Sequence, residues 1–598
     1  MNNLRKLIQA SQVDSEYGFE LSADGNSIAF SSNVHGGWEI FELGMTAKDI
    51  PTQITDGIGG KFAPRYSPSG DKLAYACDPD GSENFKFHVF DKVSGKNQLL
   101  KVPSHLSLQP NCAWSPDGSQ IAVMAIREDG NEIGLLNVDN GNYSTLVQLP
   151  GPPVDLAWSP DGCNLAVQVE AEGSNHAIAL ISLPSMNVRW LLDGDARLNA
   201  IHSAWSPDAR QLAFSCDSQG FYDICTWDLE SNGLRWLTNG KDEKTRPCWS
   251  ADGRYMTFLV GKDCYTELAT LDLNNSQLEA LGLSTGVYHH PQFNPSSDKI
   301  FAIYEAPDQP PYLQEITFLK NSNSKYPVGV FQPSHFKNLV SPREITYPSP
   351  DSVEIPSLLF EPAGSDVCTL PPAVVIIHGG PDWYFQAGWN PLMSYLVGMG
   401  WLVLAPNYRG STGYGKDWLN ASRYQMGKMD CEDVMAGADY LVDQHLADPS
   451  RLAVIGRSHG GYLVMCCLTQ RPALWRAGSA IVPVMNLFTS HEKSRQDLQH
   501  WNIQNYGDPV ENKALWIERS PYFFLDRITS HLQIICGGRD VRCPPEDAYQ
   551  AHLKLLELGK SSNFVQYPDE GHIFMKEENI IDANQRIVNF LQISFAPL

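Results

Sequence analysis

The stretch Arg451-Leu-Ala-Val-Ile-Gly-Arg-Ser-His-Gly-Gly-Tyr-Leu-Val-Met-Cys-Cys-Leu-Thr-Gln470 decides how the second half of the chain is read. Leu452 to Ile455 is a short apolar run and reads as a buried strand. The chain then turns through Gly456-Arg-Ser-His-Gly-Gly461 and continues with apolar residues at helical spacing. Gly-x-Ser-x-Gly between a strand and a helix is an elbow that lifts the serine hydroxyl clear of the sheet. Gly456 and Gly460 flank it because a Cβ at either place would crowd the neighbouring backbone. The helix N-terminus behind Ser458 favours developing negative charge. The bare pattern arises by chance in long chains; its strand–turn–helix context, with a further Gly461, makes Ser458 a candidate nucleophile.

Outward from this elbow the pattern repeats. Ala373 to Ile377 is an apolar strand ending in His378-Gly379-Gly380-Pro381, and Trp401 to Leu404 is a strand ending in Ala405-Pro-Asn-Tyr-Arg-Gly-Ser-Thr-Gly-Tyr-Gly415. A helix over Cys431 to Gln444 precedes the elbow. Leu532 to Cys536 is a strand followed by Gly537-Gly-Arg-Asp540, and Phe564 to Tyr567 one followed by Pro568-Asp-Glu-Gly-His572. Strand and helix alternate, which is the signature of a parallel sheet covered on both faces. Ligand sites on such sheets lie at the carboxyl ends of the strands, where each of these motifs falls.

A nucleophilic serine needs a base, and the base needs a carboxylate to fix its tautomer. Taken singly, Asp540 reads as a loop cap and His572 as a surface residue. Together they follow the right strands in the order Ser458, Asp540, His572, which is the chain order of α/β-hydrolase triads. The backbone N–H of His459 is one oxyanion donor by the geometry of the elbow, and the N–H of Gly380 is the expected second. The His459 side chain need not take part, and its identity is secondary.

The first half is a repeat. The phrase recurs as Leu21-Ser-Ala-Asp-Gly, Tyr66-Ser-Pro-Ser-Gly, Trp114-Ser-Pro-Asp-Gly, Trp158-Ser-Pro-Asp-Gly, Trp205-Ser-Pro-Asp-Ala, Trp249-Ser-Ala-Asp-Gly and, degraded, Phe293-Asn-Pro-Ser-Ser. Its spacings are 45, 48, 44, 47, 44 and 44 residues, the period of a four-stranded propeller blade. One period reads as strands over Gln120 to Ile126, Glu132 to Val138, Tyr143 to Leu149 and Val154 to Trp158. The large aromatic of each copy is expected to pack between neighbouring blades. His289-His290 reads as a turn or surface pair, and no metal-ligand spacing is present. Ala306 to Pro311 is Pro-rich and reads as a connection, with Tyr312 to Leu319 able to supply a last strand. The expected fold is a seven-bladed β-propeller plus an α/β hydrolase domain with a mostly parallel sheet. The expected boundaries are an N-terminal helical extension over 1–12, packed outside the propeller, then the propeller over 13–325 and the catalytic domain over 326–598.

At 598 residues the chain exceeds one core. Its balance of 44 basic and 68 acidic residues, −24 in all, argues against nucleic acid and anionic membrane as partners. Thirteen cysteines without Cys-x-x-Cys spacing suit free thiols in a reducing compartment. No signal peptide and no run of eighteen apolar residues is found, so the expected location is the cytoplasm. No cofactor and no metal is expected.

The propeller repeat, His378-Gly-Gly-Pro381, Asn407-Tyr-Arg-Gly-Ser-Thr-Gly-Tyr-Gly415 and Gly456-Arg-Ser-His-Gly-Gly461 together resemble the prolyl oligopeptidase family of serine peptidases, and most of all its acylaminoacyl-peptidase branch. The resemblance covers nearly the whole chain; the degraded seventh repeat leaves the manner of ring closure open. It implies a propeller that restricts entry to short peptides, and Arg542 holding a substrate carbonyl. It also implies that Val484 to Leu487 walls the pocket for the residue before the scissile bond; with Val484 and Leu487 apolar, that pocket prefers apolar or small residues. Hydrolysis of short peptides, N-acylated or otherwise blocked, is the leading reading. A dipeptidyl aminopeptidase or carboxypeptidase of the same family, an esterase or peptide ligase using the same triad, and a non-catalytic propeller scaffold are the alternatives. An aminopeptidase must place carboxylates against a desolvated ammonium. The first 330 residues hold no Glu-Glu pair, and Glu128-Asp129 and Asp242-Glu243 read as solvated turns. Whether the chain is a homo-oligomer is left open.

Overall fold

The computed structural model describes residues 2–45, 50–127, 130–191, 199–318, 325–327, 336, 339–364 and 369–597. It contains two compact units. Ser11–Pro79 with Glu83–Ser334 forms one; Met1–Ala10, Asp80–Ser82 and His335–Leu598 form the other.

The first unit consists of seven four-stranded sheets, each made of four strands consecutive in sequence. The third blade comprises Ser107–Trp114, Gln120–Arg127, Gly130–Asn137 and Tyr143–Leu149. The repeated phrase is therefore the turn between the first and second strands of a blade. Its chemistry recurs from blade to blade. The Ser115, Ser159, Ser206 and Ser250 hydroxyls donate to Asp117, Asp161, Asp208 and Asp252 at 2.6–2.7 Å, and each aspartate also accepts a backbone N–H two residues on. The tryptophans bind neighbouring blades together: the indole N–H groups of Trp114, Trp205 and Trp249 donate to the carbonyls of Arg65, Ala157 and Ala204 at 2.9–3.1 Å.

Among the described residues the ring closes by packing, without a strand lent from one blade to another. Phe19, Ile28, Phe30 and Phe41 of the first blade share a core with Phe301, Ile303 and Leu313 of the seventh. Val13 donates to the Pro311 carbonyl at 2.9 Å, and the Gln292 amide to that of Phe19 at 2.8 Å.

Three sequence readings need correction here. His289 and His290 are in the strand Val287–Phe293, not in a turn; His289 pairs with Glu305 at 2.9 Å, and the His290 ring meets the Ser15 and Glu16 carbonyls. The His289 partner is on the adjacent strand, whereas those of His290 are 275 and 274 residues away. The Pro-rich connection is shorter than expected, because Gln309, Pro310 and Pro311 begin the strand Gln309–Thr317. Glu243 is not in a solvated turn: it opens the strand Glu243–Trp249, is buried, and accepts from the Tyr222 N–H at 2.6 Å. Glu128 and Asp129 lie outside the described residues, as does Leu319.

The second unit is built on an eight-stranded sheet, with strands labelled along the chain as β1 (Arg343–Pro348), β2 (Glu354–Phe360), β3 (Ala373–Ile377), β4 (Leu402–Pro406), β5 (Leu452–Arg457), β6 (Ala477–Ile481), β7 (His531–Gly537) and β8 (Asn563–Tyr567). Their order in the sheet is β1-β2-β4-β3-β5-β6-β7-β8. The β1–β2 and β2–β4 pairs are antiparallel and the rest parallel. The all-apolar runs of β3, β4 and the start of β5 are buried along their length, as central parallel strands must be. Helices Met429–Asp443 and His459–Gln470 contribute Val434, Leu441, Leu463 and Leu468 to the same core. The first helix, Asn2–Ile8, belongs to this unit, with its Arg5 forked onto Glu578 at 2.9 and 3.1 Å. None of the described helices is long and apolar enough to cross a membrane.

Candidate active site

Ser458 joins β5 to the helix His459–Gln470 with φ 58° and ψ −121°, a conformation that is strained for a residue with a side chain. The glycines explain how the chain tolerates it. A Cβ on Gly456 would lie 2.2 Å from the Gly460 carbonyl oxygen, and one on Gly460 would lie 2.3 Å from that of Ile377. Ser458 donates its N–H to Ile481 at 2.9 Å and accepts from Tyr462 at 2.9 Å, which fixes the turn from both sides.

Asp540 and His572 follow β7 and β8, and both are 5% exposed. The His572 Nδ1–H donates to Asp540 Oδ2 at 2.8 Å, which leaves Nε2 with its lone pair. The other carboxylate oxygen accepts the backbone N–H groups of Arg542 and Cys543, each at 2.8 Å. Gly537 lets the two loops meet, since a Cβ there would lie 2.0 Å from the Gly571 carbonyl oxygen.

The turn after β3 lies against the serine. A Cβ on Gly379 would be 3.3 Å from Ser458 Cβ and 3.9 Å from its Oγ. Gly380 has φ +108°, and a Cβ there would lie 2.6 Å from the Asp382 nitrogen. This turn is held by the motif after β4. The Tyr408 ring stacks on His378 with centroids 4.2 Å apart, and its hydroxyl donates to the His378 carbonyl at 3.0 Å. Ser411 meets His378 Nε2 at 2.9 Å, while Nδ1–H donates to the Gly379 carbonyl at 2.7 Å. Burial drives the His378 pKa down to about 3, so the ring is neutral. Asn407 pairs with both backbone groups of Phe385 at 2.7 and 3.1 Å. Arg409 forks onto Asp433 at 2.6 and 3.0 Å. The motif is a scaffold.

The remaining sequence candidates have distinct settings. Arg542 is half-buried, and its backbone N–H is one of the two that hold Asp540. Val484 is half-buried; Leu487 is 3% exposed, packed with Met426, Tyr506 and Trp516. The His459 side chain is less dispensable than its sequence reading had it. Its Nε2 meets buried Asp430 at 3.0 Å, and Asp430 also accepts the N–H groups of Gly427 and Cys431.

Two residues escaped the sequence reading. Asp547, in the first turn of the helix Pro545–Glu557, accepts the N–H groups of Met485 and Asn486 at 2.7 and 3.0 Å and so pins the segment Val484 to Leu487. Burial pushes its pKa up to about 7. Arg457 donates from its guanidinium to the His572 carbonyl and lies 5.5 Å over the Phe574 ring. The only advance signal was a cation beside the serine in a glycine-rich turn.

Residues 387–597 match the model of the prolyl oligopeptidase family, and residues 79–325 that of the TolB β-propeller domain. Residues 387–597 are a prolyl oligopeptidase family domain. Dipeptidyl peptidase family member 6 of Caenorhabditis elegans is 32% identical over 226 residues, 37% of this chain and 30% of that protein. Acylamino-acid-releasing enzyme 1 of Oryza sativa subsp. japonica is 28% identical over 223 residues, 36% of this chain and 28% of that protein. The matched segments thus span less than a third of these two relatives. The solved puromycin-hydrolysing peptidase of Mycobacterium tuberculosis has a TM-score of 0.86 at 19% identity, covering 99% of this chain and 96% of that one. At that identity the likeness is one of fold, and it extends over the propeller and the prolyl oligopeptidase family domain alike.

Proposed function

We propose that the protein is a serine peptidase that hydrolyses short, N-acylated peptides. The observation that carries this reading is the 2.8 Å hydrogen bond from His572 to buried Asp540, on loops beside the strained Ser458. Ser458 Oγ attacks the scissile carbonyl while His572 Nε2 takes its proton, and Asp540 holds the imidazolium in orientation. The backbone N–H groups of His459 and Gly380 receive the oxyanion; losing one such donor typically costs roughly 10²–10³ in rate. His572 returns the proton to the leaving amine, and a water repeats the sequence on the acyl-enzyme.

Arg542 is the anchor for a substrate carbonyl, and Val484 and Leu487 form the apolar wall for the residue before the cut. A guanidinium suits an acyl carbonyl and repels a free ammonium. The relative named for releasing acylated amino acids supports the same preference. Thirteen cysteines without Cys-x-x-Cys spacing suit a reducing compartment, and we assign the protein to the cytoplasm.

The test compares kcat/KM for one short peptide with its N-terminus acetylated and free. The acetylated form is expected to be the better substrate. A free amine preferred tenfold, ~1.4 kcal/mol in the transition state, would contradict the acyl preference and favour the aminopeptidase reading.

A further inference from the structure

Asp540, Cys543 and His572 each present one ligand atom, and these atoms lie within 4.8 Å of one another. All three residues are buried, at 5–8% exposure. Peptide hydrolysis as described above gives the Cys543 thiol no part. That thiol nevertheless lies beside Asp540 and His572, within 4.8 Å of their ligand atoms. We propose that Asp540, Cys543 and His572 form a binding site for a thiophilic divalent cation, Zn²⁺ in the first instance, whose occupation switches the enzyme off.

The donor set fits that ion. Zn²⁺ takes thiolate, imidazole nitrogen and carboxylate oxygen together at about 2.0–2.3 Å, in a tetrahedron whose fourth corner is open to water or a hydroxyl. Neighbouring corners of such a tetrahedron are about 3.3–3.7 Å apart by those bond lengths, so the present spacing closes with side-chain shifts of about an ångström. Charge balances as well: one thiolate and one carboxylate neutralise the dication, and no net charge is left in a buried place. On binding, the Cys543 thiol releases its proton to solvent and its sulfur lone pair goes to the metal, without any change of oxidation state. An imidazole ligated to the ion cannot accept the serine proton, so turnover stops until a chelator removes the metal.

The inhibitory half of the proposal rests on the triad reading above, whereas metal capture does not. The experiment uses the full chain, first stripped with EDTA. Co²⁺ serves as the probe, followed by its thiolate charge-transfer absorption and then displaced by Zn²⁺. The wild type is expected to show the band at one equivalent, and Cys543→Ala and Cys543→Ser to lack it while keeping wild-type circular dichroism. Zn²⁺ is expected to lower wild-type peptidase activity at least tenfold, reversibly with EDTA, with the ratio of activities with and without Zn²⁺ staying near one in Cys543→Ala. A band that survives in Cys543→Ala, no band in the wild type, or equal inhibition of both proteins overturns the proposal. A Cys543-dependent band in a protein without peptide turnover would support the metal site and contradict the peptidase reading.

Discussion

The guanidinium of Arg457 donates to the backbone carbonyl of His572, so the residue preceding Ser458 holds the loop that carries His572, the proposed base. The ring of Phe574 packs against the same guanidinium, and burial lowers the pKa of Arg457. A cation kept there against desolvation has a structural task, and removing it frees the His572 carbonyl and loosens the loop. Arg457→Met is expected to lower kcat by about 10–100-fold, some 1.4–2.7 kcal/mol, with little change in KM. Arg457→Lys should recover part of the loss. Steady-state kinetics on one peptide check this; an unchanged kcat, or a loss confined to KM, would contradict it.

The neutral His378 makes stability depend on acid. Its folded pKa is about 3 against 6.5 for the free side chain. Between those values the unfolded chain binds a proton that the folded ring refuses. Stability from this group is therefore full above 6.5 and is lost as pH falls towards 3. The share lost between pH 7 and pH 5 is roughly 2 kcal/mol. Urea unfolding of the wild type and His378→Asn at both pH values should show the variant losing that much less on acidification. Parallel losses in the two proteins would mean that the ring is not held neutral.

Asp547 bears on the proposed pocket wall only through the segment it pins. Asp547→Asn leaves one amide oxygen to serve N–H groups that two carboxylate oxygens now accept from. Because Val484 to Leu487 is read as the pocket wall, KM for a peptide with a large apolar residue before the cut should rise about 3–10-fold, ~0.7–1.4 kcal/mol, while kcat is kept. A fall in kcat at constant KM would place Asp547 elsewhere in the reaction.

The propeller and the elbow could be read from the sequence because their causes are local. The Ser115–Asp117 turn closes within three residues, and the same bond recurs four blades in a row. The elbow announces itself through Gly456 and Gly460, each forced by backbone a few residues away or on the adjoining strand. The Asp540–His572 pair spans 32 residues, but strand order bridges that gap. No comparable guide existed for Arg457, 115 residues from His572, or for Asp547, 62 residues from Met485. Both contacts end on backbone atoms, which leave no trace in the identity of the partner. Glu243 failed for the same reason: its partner is the N–H of Tyr222, 21 residues away.

Ring closure was illegible in the sequence because it is a matter of packing. Phe301 and Ile303 resemble the equivalent residues of other blades, and only the core they share with Ile28 and Phe30 shows that the seventh blade meets the first.

Ser458 is the residue on which the mechanism stands or falls. Its hydroxyl is outside the apolar core, so Ser458→Ala should keep the melting temperature of the wild type. On an N-acetylated short peptide, kcat/KM of the variant is expected to fall by at least about 10⁴-fold, the scale on which a triad nucleophile acts. Turnover near the wild-type value in a folded Ser458→Ala protein would contradict the mechanism.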